Sequence, residues 1–109
     1  MKRGGIWTAA GAADYAGKPR PAVIVQDDLF SATASVIVCP FTTNPADAPE
    51  FRLAVAPSAA NGLGLPSKLM VDKLTAVART KLGKRLGRLD EHDLERLERA
   101  ILIFLGYSR

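Results

Sequence analysis

The chain has 109 residues, a length that fits one domain with its own core and needs no disulfide to hold it together. Apolar residues make up 48% of the sequence, which excludes a disordered chain, and no apolar run approaches the roughly 20 residues of a membrane-spanning helix. Fifteen basic residues against eleven acidic ones give a formal charge of +4, which is compatible with a polyanionic partner without requiring one.

The cysteine and histidine content narrows the chemistry further. Cys39 is the one cysteine, so an internal disulfide is excluded and a reducing cytoplasm is the predicted location. The first residues carry charge but no apolar run, which predicts that there is no signal peptide. His92 is the one histidine, and it lies at the start of a predicted helix, so a surface position is expected. Without a spaced Cys/His cluster or a phosphate-binding glycine loop, we expect no metal and no cofactor.

Most of the chain alternates between short apolar runs and clusters of Gly, Pro and Asp, which is typical of short strands joined by turns. Pro19, Pro21 and Pro40 are expected at strand edges, because proline cannot donate to a strand ladder. In the loop 56–67, Asn61-Gly62 and Gly64 are expected in the left-handed backbone region. Strands are predicted at 5–8, 22–26, 35–39, 51–55, 68–72 and 74–77. Short strands at this spacing favour a small β-barrel.

The segment 81–88 is strongly basic, with five Lys or Arg residues in eight. Its two glycines, Gly83 and Gly87, argue against a long helix and favour a twisted hairpin or a loop. One interpretation is contact with the backbone of RNA or DNA, which would make binding depend on salt. A solvated basic face explains the segment equally well, so both interpretations stay open.

The C-terminal region predicts an amphipathic helix over 90–105. Asp90 is a suitable N-cap, and acidic residues follow it in the first turn, where the helix dipole favours negative charge. Leu94, Leu97 and Ile101 recur at spacings of three and four, which places them in one apolar stripe with Phe104 or Leu105. Gly106 fits the position just after the helix.

An arginine leads into the second predicted strand, and two threonines end the third. The planar guanidinium of Arg20 matches two phosphate oxygens, and the hydroxyls of Thr42 and Thr43 can donate to a phosphate. Strands that are neighbours in the chain are usually neighbours in the sheet, so these groups are predicted to meet at one rim. The plainer alternative is a surface arginine at a strand start and threonines in a turn.

Other side chains have two interpretations as well. Asp14 and Tyr15 lie in the loop before Arg20, where a carboxylate could orient or deprotonate a ribose hydroxyl; a solvated loop residue is the plainer interpretation of Asp14. Cys39 lies in an apolar strand and is expected in the core. Trp7 is expected in the core too, although stacking on a base is the alternative.

In this order and spacing, the motifs resemble the MazF/PemK toxins of bacterial type II toxin–antitoxin pairs. The resemblance covers residues 1–109 as a single domain. It rests on the segments 3–7, 20–24, 38–43, 70–73 and 82–89 and on the closing helix. It implies a mainly β fold, an SH3-like small β-barrel with a C-terminal helix. It also implies a homodimer and a partner antitoxin whose disordered tail blocks the active site.

The activity implied by the resemblance is sequence-specific, metal-independent cleavage of single-stranded RNA. The ribose 2′-OH would attack the adjacent phosphate and leave a 2′,3′-cyclic phosphate and a 5′-OH end. By motif, the family's essential arginine falls on Arg20, its essential threonine on Thr42, and an acidic residue of its first loop on Asp14. We expect RNA contacts from Lys18, Thr43, Lys73, Arg79 and Lys81. Lys73 stands where many members have glutamine, a departure that affects the expected RNA sequence preference.

The implied RNA groove is expected to cross the two-fold axis of the dimer, because one small barrel offers little concave surface. Two other functions remain as alternatives. CcdB-like toxins share the fold and bind DNA gyrase without cutting RNA, but they depend on a tryptophan-glycine-isoleucine end; here leucine precedes Gly106 and tyrosine follows it. A non-catalytic SH3-like binding module would not need Arg20 and Thr42 together.

Overall fold

The computed structural model describes residues 1–11 and 18–108, which form a seven-stranded antiparallel sheet followed by one α-helix. This confirms the predicted mainly β fold with a C-terminal helix. The strands are β1 (Gly5–Ala9), β2 (Arg20–Ile24), β3 (Ser35–Thr42), β4 (Arg52–Val55), β5 (Ser67–Met70), β6 (Thr75–Ala78) and β7 (Leu82–Arg88), and the helix is α1 (Glu91–Phe104). Residues 12–17, which include Asp14 and Tyr15, lie outside the described residues.

The strand β3 is the centre of the sheet. It pairs with β2 along one side, which confirms that the two most apolar strands are neighbours. Along its other side it pairs first with β6, over residues 35–38, and then with β5, over residues 41–42. The sheet runs in the order β4-β5-β3-β2-β1-β7, with β6 branching from β3.

The expectation that proline marks strand edges is wrong for Pro40, which lies inside β3. Pro40 falls between the segment of β3 that pairs with β6 and the segment that pairs with β5. Its missing N–H therefore coincides with the gap where β3 exchanges one partner for another. Pro21 is the second residue of β2, one position before Ala22, where the pairing with β3 begins.

Each face of the sheet covers its own apolar cluster. Successive residues of a strand point to opposite faces, so Val23 joins one cluster and Ala22 and Ile24 the other. The first cluster lies under α1, through the buried Leu97, and includes the fully buried Cys39, as predicted. The second cluster contains buried residues of β1, β2, β3 and β6. Trp7 is partly buried and packs against it.

The basic segment 81–88 is not a hairpin or loop: it contains β7, a seven-residue strand paired with β1. Its glycines allow other parts of the chain to approach the β7 backbone closely, and they do not form turns. A Cβ on Gly83 would lie 2.6 Å from the Thr8 hydroxyl, and one on Gly87 would lie 2.2 Å from the backbone oxygen of Ala60. At this crossing the N–H of Arg88 donates to the Ala60 oxygen at 2.8 Å, so the loop after β4 brings the two edges of the sheet together.

The same loop contains one confirmed and one incorrect backbone prediction. Gly62 has a φ of +69°, and a Cβ there would lie 2.1 Å from the Leu86 oxygen. Gly64 is not among the glycines of positive φ and has open space around it, so it does not require glycine for conformational reasons. The buried Asn61 holds the turn, accepting from the N–H of Ser58 and Leu63 through its side-chain oxygen.

The helix α1 begins and ends as predicted. The Asp90 carboxylate caps it by accepting from the N–H of Asp93 at 2.7 Å, and Gly106 follows with a φ of +84°. His92 is exposed in the first turn. Beyond Ile101 the apolar stripe emerges from the core, and the Phe104 side chain is 49% exposed. Among the described residues, no helix has the length and apolar character needed to cross a membrane.

Candidate active site

One row of residues crosses the sheet at the rim where β3 ends. Pairing sets Ala54 opposite Lys68, Lys68 opposite Thr42, Arg20 opposite Ala9, and Ala9 opposite Leu82. The β2–β3 pairing begins at Ala22 and Pro40, and continuing its register by two residues brings Arg20 to the level of Thr42. We call this series the rim row; its members are Ala54, Lys68, Thr42, Arg20, Ala9 and Leu82.

Arg20 is the first residue of β2 and is partly buried. It lies on the same face of the strand as Ala22 and Ile24, which are buried in the second apolar cluster. The strand therefore fixes the backbone from which this long side chain extends at the rim. Neighbouring strands lie about 4.8 Å apart, so Arg20 and Thr42 are brought together as the sequence predicted.

Thr42 is the last residue of β3, and its side chain organises the turn that follows. Its hydroxyl oxygen accepts from the N–H of Asn44 at 3.1 Å, and the Asn44 side-chain oxygen accepts from the N–H of Ala46 at 3.0 Å. Because the Thr42 oxygen acts as acceptor in this bond, the hydroxyl proton remains available to a ligand. Thr43 is exposed beside it. The arrangement can donate a hydrogen bond to an anion at the rim.

Lys68 lies beside Thr42 at the candidate site, although no sequence motif indicates it. It pairs directly with Thr42, on the side opposite Arg20. Its ammonium donates to the backbone oxygens of Pro45 and Ala46, at 3.3 and 3.0 Å, and so ties the turn after β3 to β5. The pairing of β3 with β5 across a 24-residue interval brings Lys68 here, and no local motif indicates that pairing. A hydroxyl flanked by two cationic side chains is an arrangement suited to phosphate.

Two of the other predicted RNA-binding lysines lie at the same rim. Lys18 is exposed two residues before β2. Lys81 is exposed next to β7, and its backbone oxygen accepts from the N–H of Ala10 at 3.1 Å, just beyond the end of β1. These positions extend the positive charge of the rim past Arg20.

Lys73 and Arg79 are not brought to the rim row. Lys73 is exposed in the short 3-10 turn between β5 and β6. Arg79 follows β6 near the first residue of β3, about 23 Å along that strand from Thr42. Its guanidinium donates to the backbone oxygens of Ser31 and Thr33, the latter at 2.7 and 3.0 Å. In this structure Arg79 holds the loop before β3.

An ion pair behind the rim stabilises the turn that carries Lys73. Arg52 donates two hydrogen bonds to Asp72, from Nε to Oδ1 at 2.7 Å and from Nη2 to Oδ2 at 2.8 Å. The hydrogen bond from Arg52 lowers the pKa of Asp72 below its usual value. Burial raises the pKa of the nearby Cys39 thiol to about 12, with a further contribution from the Asp72 charge. Cys39 is therefore a neutral core residue and not a nucleophile.

We expect Asp72→Asn to lower the free energy of unfolding at pH 7 by about 2 kcal/mol, because it leaves the partly buried Arg52 without its charged partner. A carboxyl whose pKa is lower in the folded state stabilises the protein above its unfolded pKa of about 3.9. That contribution disappears as the pH falls through the folded pKa. Urea unfolding from pH 7 to pH 3 should show the difference between wild type and variant shrinking with acid. The same substitution at the exposed Asp47 is the control, and a difference independent of pH would contradict the expectation.

Comparison with known proteins gives a consistent picture of this chain. Residues 2–105 match the family described as PemK-like, MazF-like toxin of type II toxin-antitoxin system. A probable MazF endoribonuclease of Mycolicibacterium smegmatis is 55% identical over 108 residues, which cover 99% of each chain.

Two solved structures have the same fold. One is an endoribonuclease in complex with its cognate antitoxin from a mycobacterial species, with a TM-score of 0.82 and 22% identity over 100% of this chain and 98% of that one. The other is the Mycobacterium tuberculosis toxin MazF-mt6, with a TM-score of 0.80 and 24% identity over 96% of this chain and 99% of that one. The family match over nearly the full length, the close relative and the shared fold lead to one conclusion: the chain belongs to the family of PemK-like and MazF-like toxins of type II toxin–antitoxin systems.

Proposed function

We propose that the protein is a sequence-specific, metal-independent endoribonuclease that cleaves single-stranded RNA and arrests growth until an antitoxin neutralises it. The observation that carries the proposal is the juxtaposition of Arg20 and Thr42 at the rim of the sheet, in a chain that belongs to this toxin family. The names of its relatives, among them the endoribonuclease of M. smegmatis, support the same activity. The gyrase-binding alternative gains no comparable support.

In the proposed mechanism the nucleophile belongs to the RNA. The ribose 2′-oxygen attacks the adjacent phosphorus and forms a P–O2′ bond, while the P–O5′ bond breaks and leaves a 2′,3′-cyclic phosphate and a 5′-OH end. Arg20 neutralises the charge that grows on the phosphorane oxygens, and Thr42 donates to a non-bridging oxygen and holds the in-line geometry. Asp14, outside the described residues, is proposed to take the 2′-OH proton, and the departing oxygen receives a proton from water.

The proposed RNA path follows the positive rim. Lys18, Thr43 and Lys81 are exposed there and can contact the backbone on either side of the cleaved phosphate. Lys73 and Arg79 lie away from the rim row, so only a longer RNA is predicted to contact them. To bind a phosphate, Arg79 would exchange its bonds to the backbone oxygens of the loop before β3. Contacts to phosphate make affinity fall with salt.

The proposal includes a homodimer, a cognate antitoxin and a cytoplasmic location. The last turn of α1 and the residues after it expose several apolar side chains together, as surfaces that bind a partner do. Its members are Leu102, Ile103, Phe104, Leu105 and Tyr107, which are 48%, 49%, 49%, 52% and 81% exposed. One structural neighbour was solved in complex with its own antitoxin, which supports an antitoxin here. The free thiol of Cys39 suits a reducing compartment.

Cleavage of a long natural RNA in EDTA tests the proposal. The purified, antitoxin-free protein should make discrete cuts with 5′-OH ends, and light scattering should give about twice the 11.6 kDa chain mass. We expect Thr42→Val to slow the cuts by about 10- to 100-fold, the effect of one hydrogen bond to a charged group. A folded protein that cuts none of several RNAs would overturn the endoribonuclease proposal. Full activity from a monomer would overturn the dimer and the groove across its two-fold axis.

A further inference from the structure

A cavity of about 500 Å³ opens next to Thr42, on the side away from Arg20. It lies between the turn after β3 and the loop after β4, with strands β4 and β5 as its floor. Its volume is within the range of sites that bind small organic groups. Its lining residues are Thr42, Thr43, Asn44, Pro45, Ala54, Val55, Ala56, Leu65, Pro66, Ser67 and Lys68.

The walls of this cavity are mainly apolar. Pro45 and Pro66 contribute rigid rings, and Leu65, 61% exposed, contributes an aliphatic side chain. Polar groups are few and lie among them: the side chains of Asn44, Ser67 and Lys68. The Ser67 hydroxyl donates to the Leu65 oxygen at 2.9 Å, so its lone pairs remain as acceptors. Flat apolar walls with a few hydrogen-bonding groups suit the face and edge of a nucleobase.

The rim row has a polar part suited to the phosphate of a nucleotide and an apolar part suited to its base. Arg20 and Thr42 provide the cation and the hydroxyl that a phosphate needs. On the far side of Lys68, Ala54 lies at the floor of the apolar cavity, about 10 Å from Thr42 at two strand spacings. A phosphodiester at Thr42 can therefore direct the base of a neighbouring nucleotide into the cavity, while its backbone stays at the charged rim.

We propose that this cavity is a base-binding subsite: it takes one unstacked base next to the cleaved phosphate and so determines the sequence preference of the enzyme. The inference rests on the endoribonuclease function proposed above. Lys68 acts as a positioning residue, because its bonds to the Pro45 and Ala46 oxygens fix one wall of the cavity against β5.

Replacing one of two alanines by phenylalanine, one inside the cavity and one outside it, tests the subsite. Ala56 and Ala59 are both exposed residues of the loop after β4, but Ala56 lines the cavity and Ala59 does not. Ala56→Phe fills the cavity, whereas Ala59→Phe adds the same bulk outside it. Each protein is incubated with the same long RNA in EDTA, and the 5′-OH ends are sequenced. We expect Ala56→Phe to change the base preference at one position beside the cut and to lower kcat/KM for the wild-type sequence at least tenfold. Ala59→Phe should cut as the wild type does.

A second variant, which enlarges the cavity, keeps the test valid if Ala56→Phe does not fold. Leu65→Ala shortens an exposed wall residue, so we expect a folded enzyme whose preference at the same position becomes broader. If wild type cuts RNA and both cavity variants keep its sequence preference and rate, the subsite is wrong while the proposed function stands. Unchanged cuts with loss of inhibition by the co-expressed antitoxin would assign the cavity to a protein segment and also overturn it. If wild type cuts no RNA, both proposals fail.

Discussion

Replacing Arg20 by alanine should lower kcat/KM for cleavage of a preferred RNA by about 10²- to 10³-fold, the usual effect of removing one group that stabilises charge in a transition state. Continuing the β2–β3 register sets Arg20 at the level of Thr42 on the neighbouring strand, where the phosphorane would form. In the proposed mechanism the nucleophile belongs to the RNA, so the protein would contribute charge stabilisation and alignment, and Arg20 is the side chain proposed to supply the charge. Initial rates on a labelled oligonucleotide in EDTA, with the sequence taken from mapped cuts, measure the effect.

Two further variants separate the role of Arg20 from that of charge alone. Arg20→Lys keeps the positive charge but loses the planar pair of donors, so it should recover only part of the activity. Arg99→Ala removes an arginine that is exposed on α1 and should leave the rate unchanged. Thermal melting checks that each variant is folded. Wild-type rates in a folded Arg20→Ala protein would exclude Arg20 from the chemistry.

Local sequence patterns predicted the helix and the centre of the sheet well, because each depends on interactions between near neighbours. The Asp90 cap and the apolar spacing around Leu97 act within a few residues of one another. The pairing of β2 with β3 joins strands that follow each other in the chain. Arg20 and Thr42 could therefore be placed together from sequence, since each borders one of these two strands.

Long-range contacts account for what the sequence did not reveal. The glycines of β7 suggested a turn, but they are required by Thr8 and Ala60, which arrive from distant parts of the chain. Pro40 is tolerated inside β3 because β3 changes partners there, a fact of topology rather than of composition. Lys68 joins the candidate site for the same reason: only the β3–β5 register sets it beside Thr42.

Replacing Gly87 by alanine should destabilise the fold by about 3 kcal/mol, the upper end of the cost of overpacking. A Cβ at this position would lie 2.2 Å from the Ala60 oxygen and 2.7 Å from the Asn61 oxygen. Both are backbone atoms, which cannot move aside as a flexible side chain can, so β7 and the loop after β4 must separate.

The Gly87 contact also supports the candidate site, because the loop that it holds continues into the Leu65 and Pro66 wall of the cavity beside Thr42. Urea unfolding at equal protein concentration gives the stability difference, since the stability of the proposed dimer would depend on concentration. Gly64→Ala is the matched control: it lies in the same loop with nothing within 4 Å of its Cβ, and it should change stability by less than about 0.5 kcal/mol. Equal stability of the two variants would show that the two edges of the sheet can separate at no cost. We also expect Gly87→Ala to lower the rate of RNA cleavage, because it loosens the cavity wall. The distant Asp90 cap of α1 should remain intact.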